Sequence, residues 1–391
     1  MTLFKPLGVM PVLRVLSVAL VAALITSCAK PPKISYNPVK WTALEGWSQA
    51  EAEGLTQAML KTCEIYLKRP AERSVHKEQT HFGTYADWRP FCTELPNQTV
   101  NQLKGYYEAH LSPVKITEGD NKGLFTGYYE PELKGAFDKT AETPIPLHRR
   151  PSDLLEADLG AFIPELKGKR IMARAEGKKL VPYHDRTQIN TGILGDEQVL
   201  IWVSDPVEKF FLQVQGSGRV RLPEGQSVHV GYAGVNGHKY VSIGKRMVEQ
   251  GIMPLEEVSL QSIRQWLNEN PEKRQEILET NPSYVFFQLN DGGPYGTMGV
   301  ELTTEHSLAV DPAYIPMGVP VFLSTTLTHE GGRPYNRALA AQDTGGAIKG
   351  AIRGDIFFGA GDVAELRAGH QRGEGSLYLL LPRSLVAQKN K

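Results

Sequence analysis

Residues 340–350 read Ala340-Ala341-Gln342-Asp343-Thr344-Gly345-Gly346-Ala347-Ile348-Lys349-Gly350, and residues 353–359 read Arg353-Gly354-Asp355-Ile356-Phe357-Phe358-Gly359. The first run is a strand that delivers Asp343 into a glycine-rich turn. The second delivers Asp355 from inside an apolar strand, twelve residues on. Glycines at 345, 346 and 350 permit positive φ or close backbone approach, as the floor of an open cleft needs. Upstream, Asp311-Pro312 adds a third aspartate. For Asp311 a turn residue satisfying its own backbone is the plainer reading, and for Asp343 the turn and the functional readings both stand. Asp355 differs, because a carboxylate among apolar neighbours costs desolvation energy unless it has a partner or a use.

Asp355 has the credentials of a general acid. Desolvation raises a carboxyl pKa and a second carboxylate nearby raises it further. A raised pKa keeps a proton available for a leaving oxygen near neutral pH. Arg353 opposes this. Two residues away on a strand, it faces the same side as Asp355 and would depress the pKa. The sequence leaves that balance open.

Outward from these runs, short β-prone segments recur at 284–289, 300–308, 320–324, 337–342, 351–358 and 376–381. Six short strands with irregular turns predict a small barrel. Further β-prone runs occupy 124–133 and 176–234, and 238–280 reads as helical. There Gly251 is a C-cap, Leu260, Ile263 and Leu267 form an apolar stripe, and Asn270-Pro271 opens the next helix. Before 121 the chain reads as helical too. Ser48 to Glu51 resembles a capping box, followed by Leu55, Met59, Cys63 and Leu67 at i,i+4 spacing. A second helix is expected over 97–111, turning Val100, Leu103, Tyr107 and Leu111 inward. The fold class is therefore mainly β with helical segments.

At the other end, Lys5 and Arg14 precede VLSVALVAALI at 15–25. Eleven residues make about 16 Å of helix, too short for a hydrocarbon core about 30 Å thick. This reads as an export signal. It ends Leu24-Ile25-Thr26-Ser27-Cys28, which resembles the lipobox of bacterial lipoproteins and implies cleavage before Cys28 and its lipidation. An ordinary cleaved signal with a chance cysteine is the other reading. Ala29, in place of an aspartate that retains many such proteins at the inner membrane, implies the periplasmic face of the outer membrane. Residues 28–47, rich in Lys and Pro, read as a tether.

Lys+Arg and Asp+Glu balance at 43 each, so net charge makes no case for nucleic acid. Cys63 and Cys92 suggest a disulfide in an oxidising compartment, with two buried thiols as the alternative. No cofactor or metal-ligand pattern emerges, and His184-Asp185 and His370 stand isolated. Gly359-Ala360-Gly361-Asp362-Val363-Ala364 fits a dinucleotide pattern, but only 27 residues follow, too few for the sheet that pattern needs. Gly216-Ser217-Gly218 lacks the spacing of a nucleophile elbow.

Several motifs in order carry a more specific resemblance: Phe125-Thr126-Gly127-Tyr128-Tyr129-Glu130-Pro131, Val214-Gln215-Gly216-Ser217-Gly218, Tyr232-Ala233-Gly234, Asn236-Gly237-His238, Ser242-Ile243-Gly244, Asn281-Pro282-Ser283-Tyr284-Val285-Phe286-Phe287, and the two aspartate runs. The chain resembles the membrane-bound lytic murein transglycosylase A family from about 121 to 370. The resemblance implies a double-psi β-barrel over 121–145 and 283–391, interrupted by an inserted β-rich domain over 146–282, after a helical segment over 48–120. It implies Asp355 as the catalytic aspartate, with Asp343 a second aspartate on the groove floor. Thr126, Tyr128, Gln215 and Ser217 match groove-lining segments, with Tyr232 and Lys349 added as substrate contacts. It implies peptidoglycan glycan strands as substrate, no cofactor, a lipid anchor in the membrane, and room for cell-wall synthase or hydrolase partners. The rivals are a hydrolase using Asp343 and Asp355 as a pair, and a non-catalytic wall-binding lipoprotein.

Overall fold

The computed structural model describes residues 33–119 and 122–387. The export signal, Cys28 and the first part of the tether lie outside the described residues. In chain order the first strands are β1 (Ile34–Pro38), β2 (Leu111–Glu118), β3 (Gly123–Glu130), β4 (Glu132–Ala136), β5 (Ile145–His148) and β6 (Leu155–Asp158). Then come β7 (Arg170–Glu176), β8 (Lys179–Pro182), β9 (Val199–Val203), β10 (Gly218–Arg221), β11 (Ser227–Val235) and β12 (Val285–Asn290). The last are β13 (Ser307–Val310), β14 (Pro320–Leu327), β15 (Arg333–Asp343), β16 (Arg353–Ala360) and β17 (Arg372–Pro382). The α-helices are α1 (Gln49–Lys68), α2 (Tyr85–Glu94), α3 (Leu103–His110), α4 (Arg186–Asn190), α5 (Pro206–Gln215), α6 (Ile243–Glu249), α7 (Leu260–Glu269), α8 (Pro271–Glu279), α9 (Asp362–His370) and α10 (Arg383–Ala387).

The largest sheet runs β1-β2-β17-β14-β15-β13-β16-β3, and β3 also pairs with β17. That extra pairing closes the six strands from β17 to β3 into a barrel, which leaves no free edge among them. β1 and β2 extend it from β17. The second sheet runs β12-β11-β10-β4-β9-β5, and β6-β7-β8 form a small third one. Only Pro131 separates β3 of the barrel from β4 of the second sheet. Apolar faces of α5 to α8 make a separate core beside that sheet, with Phe210, Met247, Leu267 and Ile277 buried.

The structure corrects several expectations. Residues 34–38 are not tether: they pair with β2 from Ile34↔Glu118 to Pro38↔Val114. An edge strand tolerates the proline that made the segment read as a linker. The barrel sheet therefore takes in Leu111–Glu118, before 121. The second sheet likewise reaches beyond 146–282, using β4 before it and β12 after it. Of the strand expected over 300–308 only Ser307–Val310 forms. A turn with Glu305 at φ 58° takes up the residues before it.

The helical segment also differs. Ser48 caps α1 by accepting from the Glu51 N–H, but Glu51 does not return the bond. Its carboxylate instead meets Arg337 Nη1 at 2.7 Å and the Ala338 N–H at 2.9 Å on β15, fastening α1 to the barrel. Tyr66, not Leu67, completes the buried face, and Leu67 is 38% exposed. α3 is shorter than the helix expected over 97–111. Val100 is exposed and Leu111 begins β2. The additional helix α2 contains Pro90, which reads as a break in sequence. It carries Cys92, disulfide-bonded to Cys63 of α1 with Cα atoms 5.0 Å apart.

Candidate active site

β13 lies between β15 and β16, and its short run decides what faces the groove. Ala309 pairs with Asp343 on β15 and with Asp355 on β16. Asp355 in turn pairs with Thr126 on β3. Directly paired residues share a face, so Asp343, Ala309, Asp355 and Thr126 form one row across four strands. With strands about 4.8 Å apart, the backbones of the two aspartates are separated by roughly 10 Å. Ala309 stands between them in the row. The row depends on a register shift between Leu308 and Ala309 that skips Gln342. Gln342 turns away, fully buried, and donates to Ala58 O and Thr62 Oγ1 of α1. Such an irregularity re-aims the next side chain, here Asp343.

Both oxygens of Asp343 are occupied. Oδ1 accepts from the Thr297 N–H at 2.9 Å, Thr297 Oγ1 at 2.9 Å and the Thr344 N–H at 2.8 Å. Oδ2 accepts from Tyr128 Oη at 2.9 Å. Burial pushes the Asp343 carboxyl above its ordinary value, and these donors pull against that shift.

Asp355 has fewer donors. Its Oδ1 accepts from Thr126 Oγ1 at 2.5 Å. Thr126 Oγ1 in turn accepts from Arg353 Nη2 at 2.8 Å, so the arginine acts on the carboxyl through the threonine. Burial pushes the Asp355 carboxyl up. Thr126 and Arg353 pull it down and Asp343 pushes it up again, with a net rise. Desolvation thus wins the balance that Arg353 had left open.

Asp311 is structural here. It is buried, and its carboxylate accepts from the Ala313 N–H at 3.2 Å and the Gly350 N–H at 2.9 Å, pinning the glycine-rich turn. Of the three glycines in that turn only Gly350 takes a positive φ, +120°.

A cavity of about 340 Å³ opens between the barrel and the second sheet. Tyr128, Ala309, Asp343 and the turn from Thr344 to Ile348 line it from the barrel. Gln215, Tyr232, Tyr240 and Arg186 line it from the other side. Gln215 Oε1 also accepts from the Tyr129 N–H at 3.2 Å, tying α5 to β3. Tyr232 is 55% exposed, with its ring available as a platform. Thr126 and Asp355 lie in the row beside the cavity. Ser217 and Lys349 are not among its lining residues, and Lys349 is exposed. The sequence carried no signal for Thr297 or Arg186, whose roles arise from loops and helices distant in the chain. The dinucleotide-like run at 359–364 instead opens α9, which packs on β3 and β16. Among the described residues no group of three or more His, Cys, Asp or Glu could hold a metal ion. Nor is any described helix long and apolar enough to cross a membrane.

Known proteins resemble this chain in sequence and fold. Residues 124–288 match the family described as "MltA specific insert domain", and 306–381 match the "3D domain". Membrane-bound lytic murein transglycosylase A of Escherichia coli (strain K12) is 33% identical over 271 residues, 67% of each chain. The crystal structure of membrane-bound lytic murein transglycosylase from Agrobacterium tumefaciens superposes with a TM-score of 0.80 at 30% identity, covering 91% of this chain and 100% of that one. E. coli MltA with bound chitohexaose superposes with a TM-score of 0.64 at 25% identity, covering 90% of this chain and 93% of that one. A barrel of this kind with its inserted domain, matched at this level, defines a lytic transglycosylase. More narrowly, the chain belongs to the membrane-bound lytic murein transglycosylase A family, and its fold is that family's double-psi barrel with an insert.

Proposed function

We propose that this enzyme cuts the β-1,4 bond between N-acetylmuramic acid and N-acetylglucosamine, with Asp355 as acid and then base, leaving a 1,6-anhydromuramoyl end. One observation carries the reading: Asp355 stands in the groove row beside Ala309 and Thr126, held by Thr126 Oγ1, where burial pushes its carboxyl above its ordinary value, the direction a proton donor needs. In the first half, Asp355 gives its proton to the glycosidic oxygen as the C1–O bond breaks. In the second, the C6 hydroxyl of the same muramoyl sugar closes on C1 and returns its proton to Asp355. Atoms balance with no water consumed. Positioned acid–base catalysis supplies about 10²–10⁴ in rate. The remainder comes from holding the ring and from stabilising positive charge at C1, a task suited to the Asp343 carboxylate.

Asp343 also weighs against the hydrolase. An inverting hydrolase needs its second carboxylate free to activate water, whereas three donors fill Asp343 Oδ1 and the Tyr128 hydroxyl engages Oδ2. The relative crystallised with chitohexaose supports reading the cavity as a glycan site, with Tyr128, Gln215 and Tyr232 as contacts. Mass spectrometry of digested peptidoglycan tests the reaction: anhydro ends are expected, and reducing ends would establish the hydrolase instead.

The address belongs to the same proposal. Lipid on Cys28 holds the enzyme at the periplasmic face of the outer membrane, within reach of the wall, in keeping with the relatives' membrane-bound designation. Radiolabelled palmitate should enter the wild type and not Cys28→Ala.

A further inference from the structure

The inserted domain buries two cations that no carboxylate hydrogen-bonds among the described residues, although the charge of Glu279 on α8 acts on Arg186. Arg186 on α4 is only 4% exposed. It donates to Asn281 O at 2.8 Å, Gln213 Oε1 at 2.6 Å and Ser283 O at 2.6 Å, all neutral acceptors. Its guanidinium lies over Phe210 at 4.7 Å and Tyr284 at 5.3 Å. Lys209 on α5 is 6% exposed. Its Nζ sits 5.0 Å from the Tyr284 ring centroid, and among the described residues no hydrogen bond or carboxylate meets it. Burying a cation costs free energy unless it is paired; Arg186 has Glu279 acting on it, whereas Lys209 has no carboxylate beside it among the described residues and lines a cavity.

Both residues line one cavity of about 320 Å³. His148 on β5 and Arg274 on α8 line it as well, and no Asp or Glu does. Its remaining wall includes Ile145, Ile189 and Leu278. That volume falls at the lower end of small-ligand pockets, about 300–1,000 Å³. Arg186 is shared with the glycan cavity, so the two spaces lie back to back.

We infer that this cavity is a second binding site, for a small carboxylate with a short aliphatic body. The anion would lie between Lys209 and Arg274, supplying the missing counter-charge, and its body would meet Ile145, Ile189 and Leu278. The apolar wall selects a carboxylate over inorganic phosphate. Two sources share this chemistry: a free acid, or the carboxylate of a wall peptide. The competing account is purely structural, in which Lys209 rests uncharged on Tyr284; burial, with Arg186 adding, pushes its amine down to about 7.

Calorimetric titration of the full chain with N-acetylalanine, and separately with inorganic phosphate, at constant ionic strength in sodium chloride, decides between them. Saturable binding of N-acetylalanine is expected, tighter than phosphate, with Lys209→Met and Arg274→Gln each weakening it at least tenfold. Arg274 is only partly buried, so Arg274→Gln remains informative should Lys209→Met fail to fold. The Lys209 Nζ titration followed by NMR should move upward from about 7 with ligand bound, a shift that a structural lysine would not show. Competition by a peptide-bearing muropeptide, and not by chitohexaose, assigns the carboxylate to wall peptides. Its absence assigns a free acid. No saturable binding beyond the chloride control, phosphate binding alone, or undiminished binding in both variants would overturn the proposal.

Discussion

The barrel floor and the interior of the insert both bury charge, and they handle it in opposite ways. On the floor every anion is answered from within the chain. Asp343 accepts four hydrogen bonds, and Asp355 accepts from Thr126 with Arg353 behind it. Glu51 on α1 is paired with Arg337 in the middle of β15. In the insert Arg186 hydrogen-bonds only neutral acceptors, with the charge of Glu279 acting on it, and Lys209 meets only a ring among the described residues. The difference teaches what each region is built to hold. The floor holds a carboxyl whose proton is tuned by its own neighbours. The insert holds a lysine with no carboxylate beside it among the described residues, whose counter-charge on our proposal comes from a ligand.

The largest effect should come from removing the tuned proton. Asp355→Asn should lower glycan cleavage by about 10²–10⁴ while leaving glycan binding intact, read by product analysis and by retention on purified peptidoglycan. Stability should move the other way. The folded carboxyl titrates above its ordinary value, so between those two values the folded state holds more protons than the unfolded one. Stability from this group therefore falls as pH rises through that window. At neutral pH Asp355→Asn should melt at or above the wild-type temperature, and below the ordinary carboxyl range the gain should vanish. Full cleavage by the variant would sink the catalytic reading and favour a wall-binding role.

The second prediction divides the insert's two cations. Arg186→Met strands three buried acceptors and should cost about 3 kcal/mol or more in denaturant unfolding. Lys209→Met strands none and removes a desolvated amine, so near neutral pH it should be neutral or stabilising. The two also separate by pH. The folded Lys209 amine titrates near 7 against an ordinary 10.5, so in that window the unfolded state binds more protons. Wild-type stability from this group therefore rises with pH from about 7 to 10.5, and Lys209→Met should flatten that rise. An unchanged slope would show Lys209 charged in the folded state and countered already.

How much of this contrast could be read in the sequence follows from the range of the interactions. Asp355 was legible because a carboxylate inside an apolar strand is a local conflict that one window displays. Most barrel strands were legible as short β-prone runs between turns, although the run at 284–289 joined the second sheet. The row joining Asp355 to Asp343 was not, because it rests on a register shift at Gln342 and on β3, more than 200 residues away. β1 was hidden by composition and α2 by Pro90, since both are held by partners instead of propensity. Lys209 gave no signal either. In Pro206-Val207-Glu208-Lys209-Phe210 it resembles a solvent-facing position, and only the packing of Tyr284 and α8 encloses it.

A smaller effect should follow from altering the tuning without removing the acid. Thr126→Val deletes the hydroxyl between Arg353 and Asp355, about 1–1.5 kcal/mol and hence roughly tenfold in kcat/KM. That hydroxyl lowers the Asp355 pKa, so its loss should carry the alkaline limb of the pH–rate profile to higher pH. A limb that stayed in place would mean that the Thr126 bond does not tune the acid.

The smallest change tests whether Asp343 contributes as a charge. Tyr128→Phe removes one of its four hydrogen bonds and keeps the ring packed on Phe357, with centroids 5.2 Å apart. The three donors from Thr297 and Thr344 remain, so the loss should be under 1 kcal/mol, about threefold in kcat near neutral pH. The sign of its pH dependence matters more than its size. The Tyr128 hydroxyl lowers the Asp343 pKa, and without it Asp343 takes up a proton at higher pH. A carboxylate that stabilises positive charge at C1 must be ionised, so the variant's activity should fall off earlier as pH drops. Thr126→Val moves the opposite limb. A pair of variants that shifts the two limbs separately would assign the two aspartates different protonation states in one groove. If Tyr128→Phe leaves the acid limb where it was, Asp343 holds the Thr297 loop in place and the charge at C1 is met by other groups.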